Sequence, residues 1–392
     1  MYDWIIIGAG FTGAALAYEL IQKDFSVLLL EKYLAPNNAT RYSYGGLAFW
    51  SGNTELTRQL CDESIARYEI LSKELAADIE FRWLDLLLTI AKNTEPEKTA
   101  AIYANVATPP QLLSVKEACE LEPLLNRDAI SGALTVKHGH INPEKTAQAY
   151  IQAFLRKGGA IEFTEVLGWE SQKKVSVKTT NKTYDAANIA ICAGGMSRQL
   201  LKASSIPIKL YFSHAEIIEI PPVNIKLNTL VMPANLKRFQ LETESSRFDE
   251  LWDESGNEIL PPILDAGAVQ FQDGSLRLGQ ITRTITDVNA KIKAGESQEW
   301  LRKSVGEILP SVGNLPGSWG QCLVAFSCDK LPLIGAVPGF SNVHVFSGFS
   351  NPLVIVPPLA QRFANSVSGV DDEIINSLSP GRFCSSASVP TR

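Results

Sequence analysis

Three glycines and one carboxylate near the start of the chain are spaced to hold a nucleotide. Gly8-Ala9-Gly10-Phe11-Thr12-Gly13 follows the apolar run Trp4 to Ile7, and Glu31 closes a second apolar run, Val27 to Leu30. Gly8 supplies a tight turn, Gly10 lets the backbone approach a pyrophosphate, and Gly13 lets the next helix lie close against the strand. The free N–H groups and the positive dipole end of that helix face phosphate oxygens. Glu31 then accepts hydrogen bonds from ribose hydroxyls, and an acid there, rather than an arginine, argues against a 2′-phosphate. The alternative is a glycine-rich turn in some other α/β protein. Strand, turn, helix, second strand and terminal acid all occur in order, which favours the nucleotide.

Other chemistry is absent from the pattern. The six cysteines (Cys61, Cys119, Cys192, Cys322, Cys328 and Cys384) form no CxxC pair, and the four histidines (His138, His140, His214 and His344) lack metal-ligand spacing. Neither a disulfide framework nor a zinc site is expected, and most of the cysteines read as buried small apolar residues. A net charge of -6 and a pI near 5.5 give no footprint for nucleic acid. With 392 residues and 45% hydrophobic content, the chain can build two domains with cores of their own. The N-terminal apolar run is too short and too glycine-broken to span a membrane, and it lacks a basic segment and a cleavage site. A cytoplasmic protein is expected.

The elements that must position these residues follow from periodicity. Apolar residues near helical spacing predict a helix over 54–79, with Thr54 or Asn53 as its N-cap. Ser114 to Glu117 has the capping-box form. Asn142-Pro143 opens a helix over 144–157 that stops at Gly158-Gly159. A buried strand then ends in Ala193-Gly194-Gly195, and this return to β–α alternation implies a parallel sheet resumed after an excursion. From Ile206 to Thr286 the period-two, turn-rich pattern predicts an antiparallel sheet. A helix over 297–308 follows, then a return through 331–348 to a helix near 359–367, and the last dozen residues, rich in Ser and Pro, read as disordered.

Four segments in one order resemble the D-amino-acid oxidase family, and within it the glycine oxidase and monomeric sarcosine oxidase branches. They are the N-terminal turn, Gly139-His140-x-Asn142-Pro143, the strand into Ala193-Gly194-Gly195, and Asp329-x-x-Pro332-x-Ile334-Gly335 followed by Asn342 and Gly348-Phe349. The resemblance implies an α/β fold: a discontinuous Rossmann-like FAD-binding domain (1–80, 138–205 and 325–370), a second α+β substrate domain with a mixed or antiparallel sheet (81–137 and 206–324), and a tail (371–392). It implies FAD held by Gly8, Gly10, Phe11, Thr12, Gly13, Glu31, Lys32, Arg41, Ser43, Gly45, Gly46, Ala193, Gly194, Cys322, Gly348, Phe349 and Ser350, with no metal.

The activity implied is oxidation of a C–N bond in a small amine or amino acid, with a hydride passing to the flavin, an imine product and reoxidation by oxygen to hydrogen peroxide. The alternatives are a dehydrogenase that passes electrons to a quinone or carrier, or a flavin-binding protein without amine turnover. Cys322 stands where the sarcosine branch bonds a cysteine to the flavin, so a thioether and a plain buried cysteine both remain open. Arg277 stands where that branch has a lysine that promotes reaction with oxygen, and the plain strand reading of Arg277 is a solvent-facing charge. Arg283 is a candidate for holding a carboxylate, and His214 is expected to line the pocket with Phe271 and Arg277. Three positions depart from the family: Val324 replaces a carboxylate-clamping arginine, Leu353 a glycine, so that its side chain would crowd the flavin's pyrimidine edge, and Ile355 a carboxylate-binding lysine. A valine cannot form a bidentate pair with a carboxylate, so a more apolar pocket is expected.

Overall fold

The computed structural model describes residues 1–35 and 37–383. Two large sheets organise them. The first contains β1 (Tyr2–Ile7), β2 (Val27–Glu31), β7 (Ala160–Phe163), β8 (Val166–Ser171), β9 (Val175–Thr179), β10 (Thr183–Ile191), β16 (Leu333–Ala336) and β17 (Val343–Ser347). Its spatial order is β16-β17-β10-β1-β2-β7, with β9 and β8 continuing from β10. From β17 to β7 the pairing is parallel.

A parallel sheet is covered on both sides, so its strands are apolar without interruption. Trp4 and Ile6 enter the core formed by the helices Phe11–Ile21, Glu55–Glu74, Pro143–Arg156 and Pro352–Val367, whereas Ile5 and Ile7 enter a second core on the opposite face. The helix expected over 54–79 is Glu55–Glu74, opened by a Thr54–Thr57 capping box. Ser114 likewise caps Glu117 reciprocally, and Asn142 caps the Pro143–Arg156 helix.

The second sheet contains β3 (Gly46–Leu47), β4 (Arg82–Ala91), β5 (Gln111–Leu113), β6 (Ile130–His140), β11 (Leu210–Ile220), β12 (Leu230–Pro233), β13 (Ile263–Gln270), β14 (Leu276–Arg283) and β15 (Ser318–Ser327). Its order is β15-β11-β14-β13-β12-β4-β6-β3, with β5 beside β6. Only the β12–β4 pairing is parallel, so the sheet is mixed. One face is closed by the Ala294–Ile308 helix, where Ile218, Leu278 and Ile281 pack on Leu301 and Val305.

Four sequence expectations need correction. The stretch 206–286 is not uniformly strand: it contains the helix Lys237–Ser245 and a 3-10 turn, Asp249–Asp253. The C-terminal helix begins at Pro352, seven residues before the expected 359, and carries Pro357 and Pro358 inside it. Residues 138–140 and 325–327 belong to strands of the second sheet, so the chain crosses between sheets slightly later than the expected boundaries at 138 and 325. The segment after 370 is ordered through Phe383, with a helix Glu373–Ser377 and an Arg382–Asp329 ion pair at 2.9 Å. The rest of the expected disordered tail, and Cys384, lie outside the described residues.

Candidate active site

The N-terminal turn is built around glycines that no other residue could replace. Gly8 has φ +104°, and a Cβ there would lie 2.7 Å from the Cys192 carbonyl oxygen; a Cβ on Gly13 would collide with the Gly8 carbonyl. At Gly10 the nearest atoms to a Cβ are the side chains of Thr40 and Asn38, at 3.3 and 3.9 Å. The following helix has no side-chain cap from Gly10 and no acid in its first turn, which leaves its dipole end complementary to an anion. The Ala9 N–H donates to Glu31 Oε2 at 2.7 Å, and the Phe11 N–H to Thr40 Oγ1 at 2.9 Å. Glycine cradle, helix N-terminus and strand-terminal carboxylate therefore converge, and they fit the adenosine diphosphate half of a dinucleotide. Lys32, beside Glu31, pairs at the surface with Glu165.

The loop after Asn37 carries the fold from this turn to the second sheet. Asn38 caps the short helix Ala39–Tyr42. Arg41 Nη2 lies 3.2 Å from Glu219, and the Ser43 carbonyl accepts from Arg277 Nη1. Gly45 takes φ +75°, with Ile141 packed where a Cβ would go, and its N–H donates to Ser43 Oγ at 3.2 Å. Gly46 pairs with His140, and the His140 Nε2 sits 3.0 Å from the Tyr44 carbonyl. Trp50 donates its indole N–H to His138 at 3.1 Å. Burial pushes both imidazoles down to about 3, so they are neutral near pH 7. They position the loop and are poor bases.

Strand register sorts the remaining candidates onto two faces. Arg277 stands opposite Glu219 and Gly279 opposite Ile217, while Ala215 faces Cys322 and Ser213 faces Val324. Successive strand residues alternate, so Ser213, Ala215, Glu219, Arg277, Gly279, Cys322 and Val324 share the face onto which the Arg41–Gly46 loop folds. Arg277 is not a solvent-facing charge: it is 8% exposed, lies 3.7 Å from Glu219 and stacks 4.5 Å over Phe271. Burial depresses its pKa, and Glu219 opposes that shift. Burial also raises the Cys322 thiol to about 12. Phe271 lines this face as expected.

His214 and Arg283 do not. They pair with each other on the opposite face, where Arg283 meets the fully buried Glu216 at 2.7 Å and His214 Nε2 meets the Asp287 carbonyl at 3.0 Å. Alternation accounts for the correction: 214 and 219 differ by an odd number on one strand.

Other predicted positions gather at the edge of the first sheet. Gly194 takes φ +53° with open space beside it, in a 3-10 turn that Ala193 opens. Gly348 takes φ +81°, Phe349 packs 4.9 Å from Phe346, and Ser350 Oγ donates to the Lys330 carbonyl. Leu353 and Ile355 are buried in the adjoining core. Sequence reading missed Arg238, which reaches the Ser350 carbonyl at 3.4 Å from the Lys237–Ser245 helix, and two buried acids, Glu242 on that helix and Asp265 on β13. Among the described residues no cluster of three potential metal ligands exists, and no helix is long and apolar enough to cross a membrane.

The family profile described as DAO, FAD dependent oxidoreductase, matches residues 3–366. The chain belongs to this family. FAD is its cofactor. The chain is 31% identical over 222 residues to a monomeric sarcosine oxidase from Streptomyces avermitilis, covering 53% of this chain and 56% of that protein. It is 26% identical over 246 residues to a glycine oxidase from Geobacillus kaustophilus, covering 60% and 65% of the two. These two matches thus span between half and two thirds of the relatives' length. A glycine oxidase from Pseudomonas aeruginosa matches across 93% of this chain and 94% of its own, at 25% identity. The crystal structure of the Geobacillus kaustophilus glycine oxidase superposes with a TM-score of 0.80 over 98% of this chain and 99% of that one, at 20% identity, which establishes the shared fold. The family match and the shared fold both extend across the two sheets.

Proposed function

We propose that this flavoprotein oxidises a C–N bond of a small amine or amino acid. The observation that carries the reading is the shared face of the second sheet: Arg277, Cys322 and Val324 stand together where the Arg41–Gly46 loop reaches across from the nucleotide turn. FAD supplies the two-electron acceptor when bound. The chain's own residues orient and exclude: the glycine turn and Glu31 fix one end, the Ser43–Gly46 backbone and Gly348 admit the other, and the apolar residues Leu230, Val269 and Phe271 keep water from the face. His138 and His140, their pKa lowered by burial, are weak bases, and the form of the substrate that gives up a hydride is the uncharged amine. Burial raises the Cys322 thiol and so disfavours the thiolate that a thioether bond to the flavin needs.

A dehydrogenase is the second reading, and one contact favours it. Arg277 keeps a fixed positive charge that favours developing superoxide, but Glu219 partly neutralises it at 3.7 Å. Mixing the holoenzyme anaerobically with a panel of amines and amino acids should bleach the flavin with at least one member; no bleaching by any would overturn the reading. Readmitting air should then yield stoichiometric peroxide from an oxidase, whereas recolouring only with a quinone identifies the dehydrogenase. In both cases acid precipitation should leave all the yellow colour in the supernatant.

A further inference from the structure

Beside the rung of the second sheet that carries Val324 stands an acid, Glu242, where the family resemblance sets a base on the rung itself. Ser213 lies directly across from Val324, and its hydroxyl is 3.5 Å from Glu242 Oε1, the outer limit of a hydrogen bond. Glu242 stands on the Lys237–Ser245 helix and is 5% exposed. Asp265 is 7% exposed and stands on β13, two residues before Gly267, which pairs with Gly279. By alternation it projects from the same face as Arg277 and Val324. Its Oδ1 is buried with no hydrogen-bond partner.

Both carboxyls are held above the ordinary carboxylate range by burial, and the charge of Asp265 pushes Glu242 further up. Asp265 also acts on Tyr44, on the loop beside Ser43, so it faces the region where the loop meets the sheet. The nearby cations do not close on the pair. Arg238 donates to the Ser350 carbonyl at 3.4 Å and lies 4.7 Å over the Phe239 ring. Lys237 and Lys330 act only at longer range.

The neutral partners of the two carboxyls are the Ser213 hydroxyl and the Asn235 side chain, and groups so buried carry charge only where a cation meets them. Two carboxyls without a third ligating group are too few for a metal, which leaves an organic ammonium. The geometry points to a subsite, formed by Glu242 at the Ser213–Val324 rung and by Asp265 on β13 of the same face, for a second, cationic nitrogen of the substrate. The substrate class is then a short α,ω-diamine rather than an α-amino acid. Val324 offers apolar surface to the methylene chain and no charge to a carboxylate. The inference rests on the amine reading above.

The test uses the FAD-loaded protein under anaerobic conditions. Diamines of three, four and five carbons are each compared with the monoamine and the ω-amino acid of equal length, with flavin spectral perturbation for affinity and bleaching for turnover. At least one diamine should bind tenfold or more tightly than its monoamine, and the amino acid should bind most weakly. Glu242→Gln and Asp265→Asn, with melting temperature and bound FAD checked, should bring that diamine to within twofold of the monoamine on the same variant. Equal binding of diamine and monoamine at every length, or tighter binding of the amino acid, overturns the subsite, and this wild-type comparison decides even if a variant fails to fold. Bleaching by amines without preference sinks the subsite alone; preference without bleaching sinks the oxidation reading alone.

Discussion

At the scale of single residues, Glu242 separates what serves binding from what serves stability. Burial raises its pKa, and a carboxyl raised in the fold contributes stability that is complete below the ordinary carboxylate range and is lost as pH rises through the raised value. Glutamine has the same shape and no such loss. Glu242→Gln should therefore melt close to the parent at pH 5 and above it at pH 8, by on the order of 1–2 kcal/mol for a buried charge relieved of its missing partner. Parallel melting temperatures for the two proteins across that interval would show that Glu242 is already satisfied. Gly8 and Gly13 sit at the other extreme. Their roles were legible from the sequence because backbone approach needs glycine whatever surrounds it, whereas Glu242 and Asp265 acquire meaning only from the strands that bury them.

At the scale of elements, the Pro352–Val367 helix shows how tertiary contacts override a local rule. Proline lacks an N–H, so Pro357 and Pro358 cannot donate to the carbonyls of Leu353 and Val354 four residues earlier. The Glu55–Glu74 helix supplies the missing donors: Tyr68 OH to Leu353 O and Ser64 Oγ to Val354 O, both at 2.6 Å. Tyr68→Phe should destabilise by about 1–3 kcal/mol by orphaning a buried carbonyl. The same change should be milder in a Pro357→Ala background, where residue 357 regains its N–H; additive losses in urea melts of the four proteins would refute the coupling. Sequence reading started this helix at 359 because prolines signal a boundary, and no local pattern reveals a hydroxyl from a helix nearly 290 residues away. The Lys237–Ser245 helix was missed for a different reason. Its sequence KRFQLETES carries only two apolar residues, too few to set a 3.6 period. The Ser114 capping box and the Thr54 N-cap were legible because every contact they need lies within four residues.

At the scale of the whole molecule, the cofactor reports on how the loop is fastened to the second sheet. Glu219 stands between Arg41 and Arg277, at 3.2 and 3.7 Å, and Arg277 in turn holds the Ser43 carbonyl. Glu219 is partly exposed, so Glu219→Gln should change the stability of the FAD-free protein by well under 1 kcal/mol. Losing the anion that Arg41 and Arg277 share loosens the Arg41–Gly46 loop, and FAD affinity should fall about tenfold, or ~1.4 kcal/mol. Mass action separates the two effects. At an FAD concentration a hundredfold above the parent's Kd, binding stabilises the parent by about 2.7 kcal/mol. The variant, at only tenfold above its own Kd, should gain about 1.4 kcal/mol from the same solution. Melting both proteins with and without FAD reads all four states. Equal gains from FAD would show that the carboxylate fastens nothing the cofactor needs, and an equal drop in the FAD-free and FAD-loaded proteins would make Glu219 a residue of the fold alone.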